Sequence, residues 1–116
     1  MIKNQLIYVA HPFGGDKANK YSIDTIMENL VMLDKNNTYL SPLHNFSMLY
    51  FDTQYSKGLK ICLDMLNKCD ALVLCGDWET SKGCIGEWSF ARAKGIRIYT
   101  WKEWTDKLKE QGDNSR

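Results

Sequence analysis

The apolar residues of this 116-residue chain fall into two kinds of segment. Short runs with the length and composition of β-strands occupy residues 6–11, 38–43, 70–75 and 96–101. The third run, "DALVLC", is continuous rather than alternating, which is typical of a strand buried on both faces of a sheet. We therefore predict four strands.

The segments between and after these runs have helical spacing. From Asn19 onward, apolar residues recur at the i, i+3, i+4, i+7 and i+8 positions of a helix. Further helices are predicted from about Thr53 to Asn67, from near Ser81 to Gly95, and over "KEWTDKLKE". Strands alternating with helices predict an α/β fold, a Rossmann- or flavodoxin-like three-layer sandwich with four or five parallel strands. We expect one domain over residues 1–110, followed by a polar tail, 111–116.

Composition and charge exclude several classes of partner. The net charge of +1 and the scattered lysines provide no basic face, so we expect no nucleic-acid partner. No apolar stretch approaches the roughly 18 residues of a membrane span, and the first apolar run is too short for a signal peptide. We expect a cytoplasmic protein with no membrane partner. The four cysteines have no C-x-x-C pair and no metal-ligand spacing with a histidine, which favours reduced buried thiols, no metal and no cofactor.

Functional residues are expected where the predicted strands end. Ligands of parallel α/β sheets bind beyond the carboxyl ends of the strands. The segments that leave those ends are "HPFGGDKAN", "SPLHNFSMLYF" and "GDWETSKG". The first contains glycines before a helix but matches neither G-x-G-x-x-G nor the P-loop, so its resemblance to a phosphate-binding loop is weak.

Glu87 admits two interpretations. It falls in the first turns of the third helix, after Ser81 or Thr80 as the N-cap, where the helix dipole stabilises a carboxylate anion. A capping or solvated glutamate is the plainer interpretation. The flanking Gly83 and Gly86, which would allow a ligand to approach closely, favour a functional glutamate instead.

Other polar and aromatic positions are also open to two interpretations. Tyr8, in the first strand, is either a core tyrosine or a site residue. Asp70 and Asp77, at the two ends of the third strand, either satisfy backbone groups or act in a site. Trp78, placed in a loop, could stack on a planar ligand.

Four stretches together resemble the nucleoside 2-deoxyribosyltransferase-like superfamily. They are "IYVAHPFGG", "YLSPL", "CDALVLCGDWETSKGCIGE" and the pattern A-x-x-x-G-I-x-I-Y, and the resemblance covers residues 5–100. That superfamily includes deoxyribosyltransferases, 2'-deoxynucleoside 5'-monophosphate N-hydrolases and small domains common in phages and prophages, which are the most similar. The resemblance implies an enzyme, an N-glycosidase or 2-deoxyribosyltransferase.

The resemblance also implies residue roles. Glu87 matches the glutamate that attacks the anomeric carbon and forms a glycosyl-enzyme intermediate. Asp70 matches the aspartate that helps to protonate the leaving base, and Tyr8 matches the tyrosine that positions the nucleophile. Substrate-binding positions are then expected at His11, Pro12, Phe13, Gly14, Gly15, Ser41, Pro42, Asp77, Trp78, Ser81 and Gly83.

The substrate implied is a nucleoside or nucleotide. Ser81 stands six residues before Glu87, where the monophosphate hydrolases have a phosphate-binding serine and the transferases an aspartate. Phe13, however, stands where the hydrolases have an arginine, so phosphate would rely on backbone amides near Gly14, Gly15 and Lys17.

Two alternative functions stay open, and a homo-oligomer is predicted. The same pocket could hold a nucleotide or nucleotide signal without cleaving it, in a phage-encoded binding protein, or the chain could be a plain structural domain. The apolar groups of "HNFSMLYF" are too many for a free loop and are expected to pack on a partner subunit, in a homodimer or higher homo-oligomer. These groups are His44, Phe46, Met48, Tyr50 and Phe51. The resemblance implies the same, since dimers of the family complete each other's pockets.

Overall fold

The computed structural model describes residues 4–12, 17–42, 44 and 55–114. Strands and helices alternate along this part of the chain. In chain order they are β1 (Leu6–Ala10), α1 (Lys17–Leu33), β2 (Thr38–Leu40), α2 (Tyr55–Leu66), β3 (Ala71–Leu74), a 3₁₀ turn (Trp78–Thr80), α3 (Lys82–Lys94), β4 (Arg97–Thr100) and α4 (Trp101–Asn114).

The four strands form one parallel sheet in the order β2-β1-β3-β4. Tyr8 in β1 is in register with Leu40 in β2 and Leu72 in β3. The predicted parallel α/β fold is confirmed, with four strands. The carboxyl ends of the two central strands, at Ala10 and Leu74, lie side by side.

Each face of the sheet carries its own apolar cluster. On one face, Ile7, Val9 and Val73 pack with residues of α1 and α4. On the other, Tyr8 and Leu72 pack with residues of α2 and α3. Successive strand residues point to opposite faces, so helices cover both sides and β3 is buried throughout.

Local capping explains where the last two helices begin and end. Ser81 Oγ accepts a hydrogen bond from the Cys84 amide at 3.2 Å, and Gly95 ends α3 in the left-handed conformation, with φ 73°. Thr100 and Glu103 form a reciprocal capping box that begins α4 directly after β4. That helix continues to Asn114, four residues into the predicted tail.

The cysteines are free and buried, as predicted: Cys62, Cys69, Cys75 and Cys84. Burial raises the pKa of the Cys75 and Cys84 thiols to about 12, so both are neutral at ordinary pH. Within the described residues, no helix is long and apolar enough to cross a membrane. The same residues contain no group of three or more metal-ligating side chains.

Candidate functional site

A small cavity lies at the carboxyl edge of the sheet. Its volume is about 20 Å³, roughly the space of one water molecule. Side chains from β1, α1, the segment after β2, and α3 line it. These lining residues are Val9, Ala10, His11, Ile23, Ser41, Pro42 and Glu87. The predicted site residues His11, Ser41, Pro42 and Glu87 are therefore brought together.

Glu87 is the buried acid of this cavity. Its side chain, 7% exposed, projects from α3 toward the sheet, and the hydroxyl of the fully buried Tyr8 donates a short hydrogen bond to its Oε2. Tyr8 is held by β1, which is paired on both sides, so the position of the hydroxyl is fixed by the centre of the sheet. The structure thus joins two predicted site residues that lie 79 positions apart.

Burial raises the pKa of Glu87 to about 7, and the hydrogen bond from Tyr8 acts in the opposite direction. The sequence-based expectation was an anion held at a helix N-terminus. Glu87 lies in the second turn of α3, six residues beyond the N-cap, whereas the dipole acts mainly within the first turn. The effect of desolvation on the pKa outweighs that of the helix dipole, so the carboxyl group of Glu87 ionises near neutral pH.

Helix capping in α3 is performed by Ser81, not by Glu87. Ser81 Oγ accepts from the Cys84 amide, and the Glu87 carboxylate is bonded to Tyr8 instead. Since a hydroxyl that accepts one hydrogen bond keeps its own proton, Ser81 can still donate to an anion. Ser81 is not among the residues lining the cavity.

His11 forms the second polar wall. Its Nδ1 lies 2.7 Å from the Pro12 carbonyl, which only accepts, so Nδ1 carries the proton. Nε2 lies 3.0 Å from Ser22 Oγ and accepts from that hydroxyl in the neutral ring. The ring covers Gly76, whose φ of 62° and missing side chain make room for it.

A third polar group surrounds Ser41. Its Oγ lies 2.7 Å from His44 Nδ1, and His44 Nε2 lies 2.5 Å from Asp24 Oδ1. Asp24 is also paired with Lys20, one turn earlier in α1. Sequence reasoning missed Asp24, which carries no motif. Its role depends on α1 passing beside the segment after β2.

The corner after β3 is packed more tightly than the sequence indicated. Trp78 stacks obliquely on Trp88, with ring centroids 6.1 Å apart, and joins the apolar cluster of α2 and α3. Asp77 is exposed and its carbonyl oxygen accepts from Thr80. The structure does not bring Asp77, Trp78 or Gly83 to the cavity. A methyl group on Gly86 would make only ordinary contact with Leu59, so close approach does not require this glycine.

Asp70 lies at the opposite edge of the sheet. It precedes β3, and its Oδ2 accepts a hydrogen bond of 2.8 Å from the Leu6 amide at the start of β1. Its own amide donates to the Leu6 carbonyl. Asp70 thus lies at the amino end of β3, whereas the cavity that contains Glu87 lies at the carboxyl ends of the strands. The aspartate satisfies the backbone there, which is the plainer of its two interpretations.

Several predicted residues lie outside the described part of the chain. They are Phe13, Gly14, Gly15, Phe46, Met48, Tyr50 and Phe51.

Solved structures with the same fold include deoxyribosyltransferases. A 2-deoxyribosyltransferase from Leishmania mexicana aligns with a TM-score of 0.61 and 24% identity, over 83% of this chain and 63% of that one. A conserved protein from Enterococcus faecalis V583 aligns with a TM-score of 0.69 and 22% identity, over 84% and 62% of the two chains.

A 2-deoxyribosyltransferase from the psychrotolerant bacterium Bacillus psychrosaccharolyticus aligns with a TM-score of 0.65 and 20% identity, over 82% of this chain and 70% of that one. The chain thus spans less than two thirds of the first two structures. These similarities establish the fold that the sequence resemblance implied.

Among curated proteins, none matches the sequence. A family model does, over residues 5–100, the same range as the resemblance seen in the sequence. The chain therefore belongs to the family described as "Domain of unknown function (DUF4406)", and it has the fold of the nucleoside 2-deoxyribosyltransferase-like superfamily.

Proposed function

We propose that this protein cleaves the N-glycosidic bond of a nucleoside or nucleotide, with Glu87 as the nucleophile. The observation that carries the proposal is the buried Glu87 carboxyl group, held by the Tyr8 hydroxyl in the wall of a cavity at the carboxyl edge. Burying a carboxyl group costs free energy, and a purely structural position would be filled more favourably by an apolar side chain. The 2-deoxyribosyltransferases that share the fold support the same kind of reaction.

The chemistry proceeds in two displacements. A carboxylate oxygen of ionised Glu87 attacks the anomeric carbon, and the base departs with the electron pair of the bond and takes up a proton from solvent. Water then attacks the same carbon, the bond to Glu87 breaks and leaves the carboxylate, and the proton of that water returns to solvent. In a transfer reaction a second base attacks in place of water and loses its own proton to solvent. Tyr8 positions the attacking carboxylate. Asp70 has no part in this proposal, because it lies at the other edge of the sheet.

Substrate class follows from Ser81. Its free proton and its place at the N-terminus of α3 suit a 5'-phosphate better than an aspartate would. We therefore propose that the preferred substrate is a 2'-deoxynucleoside 5'-monophosphate rather than a nucleoside. Both are small molecules, and we propose that the protein uses them without a cofactor.

A binding-only function is the second candidate, and the pKa of Glu87 is the observation that favours it. With a pKa of about 7, a large share of the carboxyl groups is protonated at neutral pH. The protonated form cannot attack, but it can hydrogen-bond a ligand.

Glu87→Gln separates the two functions. The amide retains the shape and can still accept from Tyr8, but it cannot attack, so base release should fall on the order of a thousandfold or more. The measurement is chromatography of free base after incubation with deoxynucleosides and their 5'-monophosphates, with calorimetry for binding. The wild-type rate should rise with pH through about 7 as Glu87 ionises.

Glu79→Gln is the matched control, since Glu79 is exposed in the 3₁₀ turn eight residues earlier. It should keep wild-type activity. Equal base release by the wild type, Glu87→Gln and Glu79→Gln would refute the role of Glu87 as nucleophile. If the wild type binds the ligand but releases no base, the binding-only function is established.

A further inference from the structure

A polar relay runs from the cavity wall to the surface of α1. It consists of Ser41, His44 and Asp24, joined by contacts of 2.7 Å and 2.5 Å. Ser41 is buried and lines the cavity, whereas His44 and Asp24 are partly exposed. Ser41 directly follows β2, His44 lies three residues further along the chain, and Asp24 lies in the middle of α1.

A backbone hydrogen bond holds the histidine beside the serine. The His44 amide donates to the Ser41 carbonyl at 3.1 Å. His44 Nδ1 also faces Ser41 Oγ, three residues earlier in the chain. The ring is thus oriented by the backbone before any ligand arrives.

The charge of Asp24 determines which atoms of the relay carry protons. The pKa of Asp24 is held below its ordinary value by hydrogen bonds from Lys20 and His44, so its carboxylate only accepts. His44 Nε2 must therefore carry a proton. In the neutral ring Nδ1 has none and accepts the Ser41 proton, which leaves the lone pairs of Ser41 Oγ directed at other partners.

We infer that Asp24 and His44 are positioning residues that make Ser41 a hydrogen-bond acceptor toward the bound ligand. This rests on the proposed function, and it extends that function to substrate selection. An accepting hydroxyl recognises a donor, such as a sugar hydroxyl, and disfavours a phosphate oxygen at the same place. Among the described residues, the charged groups that face this ring directly or through Asp24 are Asp24 and Lys20.

The order of groups is also that of a hydrolytic Ser-His-Asp triad, but the ring is reversed. In such triads Nε2 faces the serine and Nδ1 the carboxylate. Here Nδ1 faces the serine, beside the backbone hydrogen bond from the His44 amide to the Ser41 carbonyl. A positioning role requires only the hydrogen bonds and no attack by the hydroxyl.

The first test needs no substrate. The chain contains two histidines, and the structure gives them opposite tautomers at neutral charge, Nδ1–H in His11 and Nε2–H in His44. Long-range ¹H–¹⁵N correlation spectra at pH 8 should show one of each, with His44→Gln assigning the signals. A doubly protonated or Nδ1–H form of His44 would overturn the inference.

The second test is a mutant cycle on the substrate that the wild type cleaves fastest. Asp24→Asn should raise KM about three- to tenfold, the range of one hydrogen bond, with kcat within about twofold. It should have no further effect in a Ser41→Ala background. Asp106→Asn is the matched control, because it also removes the partner of a lysine one turn earlier but contacts no histidine.

Each result bears on a different claim. Additive effects of Asp24→Asn and Ser41→Ala, or equal KM values for Asp24→Asn and Asp106→Asn, would overturn the relay. If the wild type releases no base, the proposed reaction fails, and the tautomer spectra still decide the relay. If Ser41→Ala does not fold, the comparison of the two aspartate variants and the spectra remain decisive.

Discussion

Ionisation of the Glu87 carboxyl group affects both the stability of the fold and the proposed activity. Its pKa is about 7 in the folded protein and 4.5 in the unfolded reference, so between these values the folded state retains a proton that the unfolded state releases. The favourable contribution is complete below pH 4.5 and is lost as the pH rises through about 7. The ionised form that attack requires is therefore the form that costs stability.

The stability of Glu87→Gln relative to wild type should accordingly increase with pH. The difference in free energy of unfolding between Glu87→Gln and the wild type should change by on the order of 3 kcal/mol from pH 4.5 to pH 8, in favour of the variant, which follows from the shift in pKa. Urea unfolding of both proteins across this range measures it, with Glu79→Gln as the exposed control. A constant difference between Glu87→Gln and wild type across the range would contradict the burial of this charge.

The sequence predicted both members of the Tyr8–Glu87 pair that the structure joins, but not the protonation of the carboxyl group. Their types and places in the chain matched a known pattern, whereas the pKa depends on how completely α3 and the sheet exclude water. Asp70 stays a predicted site residue, and the structure places it at the amino end of β3, whereas the cavity lies at the carboxyl ends of the strands. The strand boundary had to be known before that placement could be derived.

At the scale of elements, the strands were largely predictable from their apolar runs and α1, α2 and α4 from their apolar spacing. The apolar periodicity of α3 is weak, and its bounds followed from the Ser81 cap and Gly95. The polar contacts between elements were not predictable. The Thr100–Glu103 box follows the S/T-x-x-E/Q pattern and could have been found in the sequence. The pairing of Asp24 with His44 joins residues 20 positions apart and has no local signal.

Two glycines with positive φ offer a matched test of how the loop after β3 shapes the cavity. Gly95 has φ 73° and open space where a Cβ would lie, so Gly95→Ala should cost only backbone strain, roughly 1–2 kcal/mol. Gly76 has φ 62°, but its Cβ would lie 2.8 Å from His11 Nε2, so the ring must move. In urea, Gly76→Ala should lose more stability than Gly95→Ala by about 1 kcal/mol, the contribution of the hydrogen bond from Ser22 to His11.

Their activities should differ. Gly76→Ala displaces His11 from Ser22 and should lower base release several-fold, whereas Gly95→Ala should retain the wild-type rate. Equal rates in the two variants would mean that the position of His11 does not matter for the reaction.

At the scale of the whole molecule, the end of α1 is unusually apolar for a solvent-facing surface. Val31, Met32 and Leu33 are consecutive and each more than 60% exposed. The described cavity holds about 20 Å³, far below the several hundred Å³ of a typical small-molecule site. The exposed apolar surface favours a second copy of the chain that covers it, and the small cavity leaves room for that copy to complete the site.

We therefore predict a homodimer in which the end of α1 lies at the interface. Light scattering at micromolar concentration should give twice the mass of the monomer. The variant Met32→Glu should give the mass of the monomer, because a buried unpaired carboxylate opposes association. Ser89→Glu, which adds the same charge at an exposed position of α3, should leave the dimer intact. Base release should fall with the dimer fraction in Met32→Glu if the partner completes the pocket. A monomeric wild type would refute the assembly, and a fully active monomeric variant would show that one chain holds the whole site.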